Sequence, residues 1–153
     1  MIKVRTMGMI EKNSKNNPTI KAHENLKNGA LHVAENELTA YPFDTKSKEI
    51  CIALNTGAGD SQYTDFNIKK DEFVNSYLLK AWGGQEIVFD ESHITYSESQ
   101  NYSSIIPGST KLVAGNDGNF KIETDTSNYG IYFEVTKKLQ FNGNGIVAKI
   151  KVN

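Results

Sequence analysis

The chain holds one cysteine, three prolines, three histidines and one tryptophan in 153 residues. A single thiol, Cys51, forms no internal disulfide, so nothing covalent staples the fold. The apolar run Ile50-Cys51-Ile52-Ala53-Leu54 around it reads as a core strand, and the thiol as buried and inert. His23, His32 and His93 lie far apart in different expected elements. No two have the close spacing of a metal site, so each reads as a surface or incidental histidine and no metal or other cofactor is expected. No stretch approaches the roughly 20 apolar residues that span a bilayer as a helix. The opening Met1-Ile2-Lys3-Val4-Arg5 alternates instead of forming a signal peptide's apolar run. The expectation is a soluble protein made in a reducing cytoplasm, with no membrane partner.

Charge of one sign is also missing. The 17 basic and 18 acidic residues leave a net charge of −1. No basic block supplies a nucleic-acid groove, which argues against nucleic acid as a partner. So small a net charge sets up little repulsion between closely packed copies.

What remains is enough for a core. Hydrophobic residues make up 38% and charged residues 23% of the chain, which suits one folded domain, or one domain with an extended arm. At the N-terminus, Ile2, Val4 and Ile10 share one parity, with Lys3, Arg5, Met7 and Met9 on the other. That pattern reads as a strand. Residues 11–18 contain no apolar side chain and end in Pro18, so they read as a tether. The expected organisation is an arm and tether over residues 1–20 and a β-rich domain over residues 21–153.

Within that domain, Asn28-Gly29 signals a turn before Ala30-Leu31-His32-Val33-Ala34. Short strands are expected at 38–41, 49–54, 85–89, 93–96, 111–114, 120–123, 129–135 and 146–152. One short helix or helical turn is allowed near 75–81, ended by Gly83-Gly84. Strands spaced by about 8–12 residues with glycine- and asparagine-rich turns predict a small antiparallel barrel or sandwich.

A search for catalytic chemistry returns little. Gly57-Ala58-Gly59-Asp60-Ser61 lacks the lysine of a phosphate loop. Asn116-Asp117-Gly118-Asn119 resembles part of a calcium loop but lacks the closing glutamate and flanking helices, so it reads as a hairpin turn. Asp90-Glu91 are neighbours on a turn, with no defined gap across a cleft. Tyr96, Tyr102, Tyr129 and Tyr132 have no interleaved basic residues and read as core and cross-strand packing, and Trp82 as a core anchor. The expectation is a protein that is not an enzyme.

The opening Met1-Ile2-Lys3-Val4-Arg5-Thr6-Met7-Gly8-Met9-Ile10-Glu11-Lys12, the segment Lys80-Ala81-Trp82-Gly83-Gly84-Gln85-Glu86-Ile87 and the β-rich end together resemble small virion proteins of tailed phages of Gram-positive bacteria. The chain resembles in particular their capsid decoration, or cement, proteins. The resemblance implies a protein that binds the major capsid protein on the outside of the head, often as a trimer, with a terminal arm that pairs with capsid strands. It carries over no catalytic residue. It makes Ile2, Val4, Arg5, Met7, Met9 and Ile10 the candidate partner-binding residues. Two alternatives stay open: another virion component, such as a tail tube, head–tail connector or fibre part, and an enzyme or small-ligand binder.

Overall fold

The computed structural model describes residues 20–55, 67–140 and 143–153, together with the backbone of residues 2–4. Among these the chain is mainly β. Strand β1 covers Ile2–Val4, β2 Leu26–Lys27, β3 Leu31–Glu35, β4 Leu38–Ala40, β5 Cys51–Ala53 and β6 Asn67–Ile68. Strand β7 covers Ser76–Leu78, β8 Glu86–Asp90, β9 Lys111–Ala114, β10 Phe120–Glu123, β11 Ile131–Gln140 and β12 Asn144–Val152. They form a six-stranded sheet in the order β1-β8-β12-β11-β9-β10, a four-stranded sheet β4-β3-β5-β7 and a small β2-β6 ladder. Neighbouring strands run antiparallel.

Alternation explains the layering. Along β11, Ile131, Phe133 and Val135 are buried while Tyr132 and Glu134 are half-buried on the other face. Ile146, Ala148 and Ile150 of β12 are buried as well, with Val147 also buried between the first two. Apart from Val147, the buried residues of β11 and β12 meet Leu31, Val33 and Ile52 of the four-stranded sheet in one continuous core, closed by Leu79 and Trp82. The result is a β sandwich, in which two sheets bury their period-2 apolar faces against each other. Phe89 stacks on Phe120 at 4.2 Å between ring centroids, and Phe120 meets Phe133 edge-on at 4.8 Å. Aromatic pairs of this kind add roughly 0.5–1.5 kcal/mol each beyond the area they bury.

The four-stranded sheet is covered on its other face as well. Ile20, Ala22, Leu26, Ala30, Ala53, Ile68 and Val74 form a second, smaller core there. Lys21 bridges Leu38 on one side and Phe73 on the other, so the chain at 20–22 runs as an extra ribbon joining the β4 edge to the segment before β7.

Several expectations are corrected. Among the described residues helical structure amounts to three 3-10 turns, Leu79–Trp82, Glu91–His93 and Tyr102–Ser104, the first of which overlaps the short helix or helical turn allowed near 75–81. The segment read as helix at 75–81 is half strand, because Cys51, Ile52 and Ala53 pair with Leu78, Tyr77 and Ser76. The strand expected at 93–96 is absent. Asp90 caps a 3-10 turn there by accepting the Ser92 N–H at 2.9 Å, and Ile94 then makes a single parallel bridge to Phe120.

The N-terminal strand was expected to leave its own domain. In the structure β1 pairs with β8, with Ile2 opposite Phe89, Lys3 opposite Val88 and Val4 opposite Ile87. An edge strand of the chain's own sheet satisfies backbone groups that a free arm would leave to water.

Candidate functional site

Two places gather groups that could act on another molecule. The first is the β1 edge. Ile2 and Val4 lie in β1, which closes one side of the six-stranded sheet. The other residues singled out from the sequence, Arg5, Met7, Met9 and Ile10, lie outside the described residues. The strand is three residues long, with β8 on one side and no described strand on the other. Among the described residues, β1 is thus an edge strand, the kind of element whose backbone groups can pair with an added strand.

The second is a cavity of about 310 Å³ on the four-stranded sheet, on the face away from the main core. Ile20, Ala34 and Leu78 supply apolar walls, with Cys51, Ser76 and Glu49 as its polar members. Register places them together: His32 faces Cys51 across the β3–β5 pair, and Ser76 faces Ala53 across the β5–β7 pair. The His32 Nε2 lies 2.8 Å from the Ser76 hydroxyl, and Nδ1 lies 3.4 Å from the Ala30 carbonyl. Burial holds the His32 imidazole down to about 4, with the Ala30 carbonyl pulling the other way. The Cys51 thiol is buried and donates to the Glu49 carbonyl at 3.7 Å. Burial pushes it above its ordinary value, with the Ser76 hydroxyl acting in the opposite direction. A thiol held protonated is a poor nucleophile, and an imidazole held neutral this firmly is a weak base. Glu49 pairs with Lys80 and faces solvent.

His32 and His93 are both buried, contrary to the surface reading from sequence. Alternation did put His32 on the face opposite Leu31 and Val33. What went unseen is that a second core covers that face. The calcium-like turn is a hairpin turn. The Gly115 N–H donates to Asn119 O at 2.7 Å, and the Asp117 carboxylate accepts from the Thr95 hydroxyl and from Asn119. Burial would raise the Asp117 carboxyl, but those hydrogen bonds outweigh it and hold it below the ordinary range. Among the described residues no three His, Cys, Asp or Glu side chains are grouped to hold a metal ion. No helix of the described residues is long and apolar enough to cross a membrane.

Tyr96 and Tyr102 pack against the main core, and Tyr129 and Trp82 are buried. Tyr132 sits half-buried beneath Lys111, whose Nζ is 5.5 Å from the ring centroid. Exposed apolar side chains include Leu38 and Phe73 on either side of Lys21, and Phe43, Ile106 and Val152 elsewhere. In comparisons with protein-family models, curated proteins and solved structures, the chain matches none.

Proposed function

We propose that this chain is a structural virion protein that decorates a phage capsid, binding the major capsid protein from the outside and stabilising the shell. The observation that carries the reading is the β1 edge: a short N-terminal strand that, among the described residues, pairs only with β8, and whose other edge would offer backbone hydrogen bonds to a partner strand. The sequence resemblance supplies the class of partner, and the sandwich supplies a rigid body behind the contact. In this role the protein is not an enzyme, works on the capsid exterior and assembles as a homo-oligomer, with a trimer the arrangement the resemblance implies. Arg5, Met7, Met9 and Ile10 continue the contact begun by Ile2 and Val4. Alternating apolar residues there add roughly 1.5–3 kcal/mol for each side chain fully buried against the partner.

The test is co-sedimentation of purified protein with intact heads of the phage that carries it, scored as copies bound per head. The full chain is expected to bind in a fixed symmetric copy number. The chain lacking residues 1–10 is expected to keep the remaining strands of both sheets and bind more weakly. Equal binding by the truncated chain places the contact elsewhere on the sandwich. A full chain that does not bind heads at all overturns the reading.

A further inference from the structure

The four-stranded sheet carries a side-chain tie that skips a strand. β5 lies between β3 and β7, so β3 and β7 are roughly 10 Å apart. His32 of β3 nevertheless reaches Ser76 of β7, with Nε2 2.8 Å from the hydroxyl. In register, Cys51 of the intervening β5 lies opposite His32, and Ala53 lies opposite Ser76. His32, Ser76 and Ala53 are all buried, and Ala53 belongs to the second core that covers this face.

Hydrogen-bond chemistry sets the ring's state. A carbonyl only accepts, so the Nδ1 that faces Ala30 O carries the proton. Nε2 is then the acceptor, and the Ser76 hydroxyl donates to it. A second proton on the ring removes that acceptor, obliges the Ser76 hydroxyl to turn, and places a cation in an apolar layer. Among the described residues, little balances it. From β5 comes the Cys51 thiol, which is neutral. From the segment before β5 comes Glu49, already paired with Lys80. From the 20–25 ribbon comes His23, which disfavours charge on His32 and has Glu24 3.9 Å from its own ring. From the segment before β7 comes Glu72, whose carboxylate accepts the Lys69 N–H. β4 contributes Leu38, Thr39 and Ala40, with no ionisable group. Tyr77 of β7 packs against the main core on the opposite face. No carboxylate among the described residues hydrogen-bonds the His32 ring.

We propose that His32 is an acid-sensitive latch: its protonation releases β3 from β7 and opens the four-stranded sheet while the six-stranded sheet stays closed. This holds independently of the capsid reading. The direction follows from linkage. The folded imidazole is depressed to about 4 against 6.5 for the free side chain, so the unfolded or opened form binds the proton more readily. The stabilisation is complete above about pH 6.5 and is lost as pH falls from there toward 4.

Amide hydrogen exchange on the full chain tests it, with rates corrected for intrinsic pH dependence. Between pH 7.5 and pH 5, opening of β3, β5 and β7 is expected to rise roughly 30-fold, while amides of β11 and β12 keep their protection. His32→Gln, which stays neutral, is expected to flatten the response of the smaller sheet. Ser76→Ala, which leaves Nε2 without its donor, is expected to raise the pH at which the sheet opens. Loss of protection in both sheets together, or an unchanged pH response in His32→Gln, overturns the latch. Should His32→Gln fail to fold, the imidazole C–H resonances of the unaltered protein decide. A midpoint well below 6, coinciding with opening of the smaller sheet, supports the proposal, and a midpoint near 6.5 with protection intact overturns it.

Discussion

Asn28 and Asn55 hold each other through two hydrogen bonds. The Asn28 amide nitrogen donates to the Asn55 carbonyl at 3.1 Å, and the Asn55 N–H donates to the Asn28 side-chain oxygen at 2.8 Å. Asn55 extends the clasp, donating to Phe73 O and accepting the Asn75 N–H. Asn28 is buried, and three chain segments meet on this pair. Asn28→Ala leaves an N–H and a carbonyl unpaired and is expected to cost roughly 1–3 kcal/mol in urea unfolding. Asn28→Asp keeps the acceptor but points a carboxylate at the Asn55 carbonyl, so it should be at least as damaging at neutral pH. A loss below about 0.5 kcal/mol for both would mean water replaces the clasp without penalty.

Phe120 lies between Phe89 and Phe133 with both rings in contact. Phe120→Ala opens a cavity at the centre of the main core and is expected to lower stability by roughly 3–5 kcal/mol. Phe120→Leu should cost distinctly less. Denaturant melts of the two variants check the order, and equal losses would show that filling the cavity with leucine recovers nothing and that the ring contacts account for the whole loss.

Gly118 has φ of +79° in the β9–β10 turn, and its carbonyl accepts the Leu31 N–H at 2.7 Å. A Cβ there would lie 2.7 Å from the Tyr41 ring and 3.0 Å from the Leu31 carbonyl. Gly118→Ala combines left-handed backbone strain with a clash, for a cost of roughly 2–4 kcal/mol. Thermal unfolding should show it as a lower Tm. An unchanged Tm would mean that Tyr41 moves aside freely.

Cys51 is buried and its thiol is held protonated. A disulfide reagent at pH 8 is expected to label the native protein at least about 100-fold more slowly than the unfolded chain. Cys51→Ala should fold with a loss below about 2 kcal/mol. Labelling of the native thiol as fast as of the unfolded chain would show that the cavity admits the reagent.

Much of the fold was legible. The β9–β12 region reads directly from Lys111-Leu112-Val113-Ala114 onward, because period-2 alternation survives in β11 and turn residues such as Asn116-Asp117-Gly118-Asn119 mark the strand ends. Where a segment is dry on both faces or irregular, the pattern fails. Ser76-Tyr77-Leu78-Leu79 resembles a helix start but is strand followed by a 3-10 turn. His93-Ile94-Thr95-Tyr96 resembles a strand but is a capped turn with one bridge. In both, pairing partners more than 20 residues away outvote local preference.

The sequence alone settled the class of fold, the buried state of Cys51 and the hairpin turn at Asn116-Asp117-Gly118-Asn119, since each depends on local alternation or local turn chemistry. Only the tertiary structure decided that β1 joins the chain's own sheet at β8, and that the ribbon at 20–22 lays a second core over the smaller sheet. It also brought His32 to Ser76 across an intervening strand, although they are 44 positions apart. Such contacts depend on which sheet face receives a third layer, and long-range packing, not local propensity, determines that.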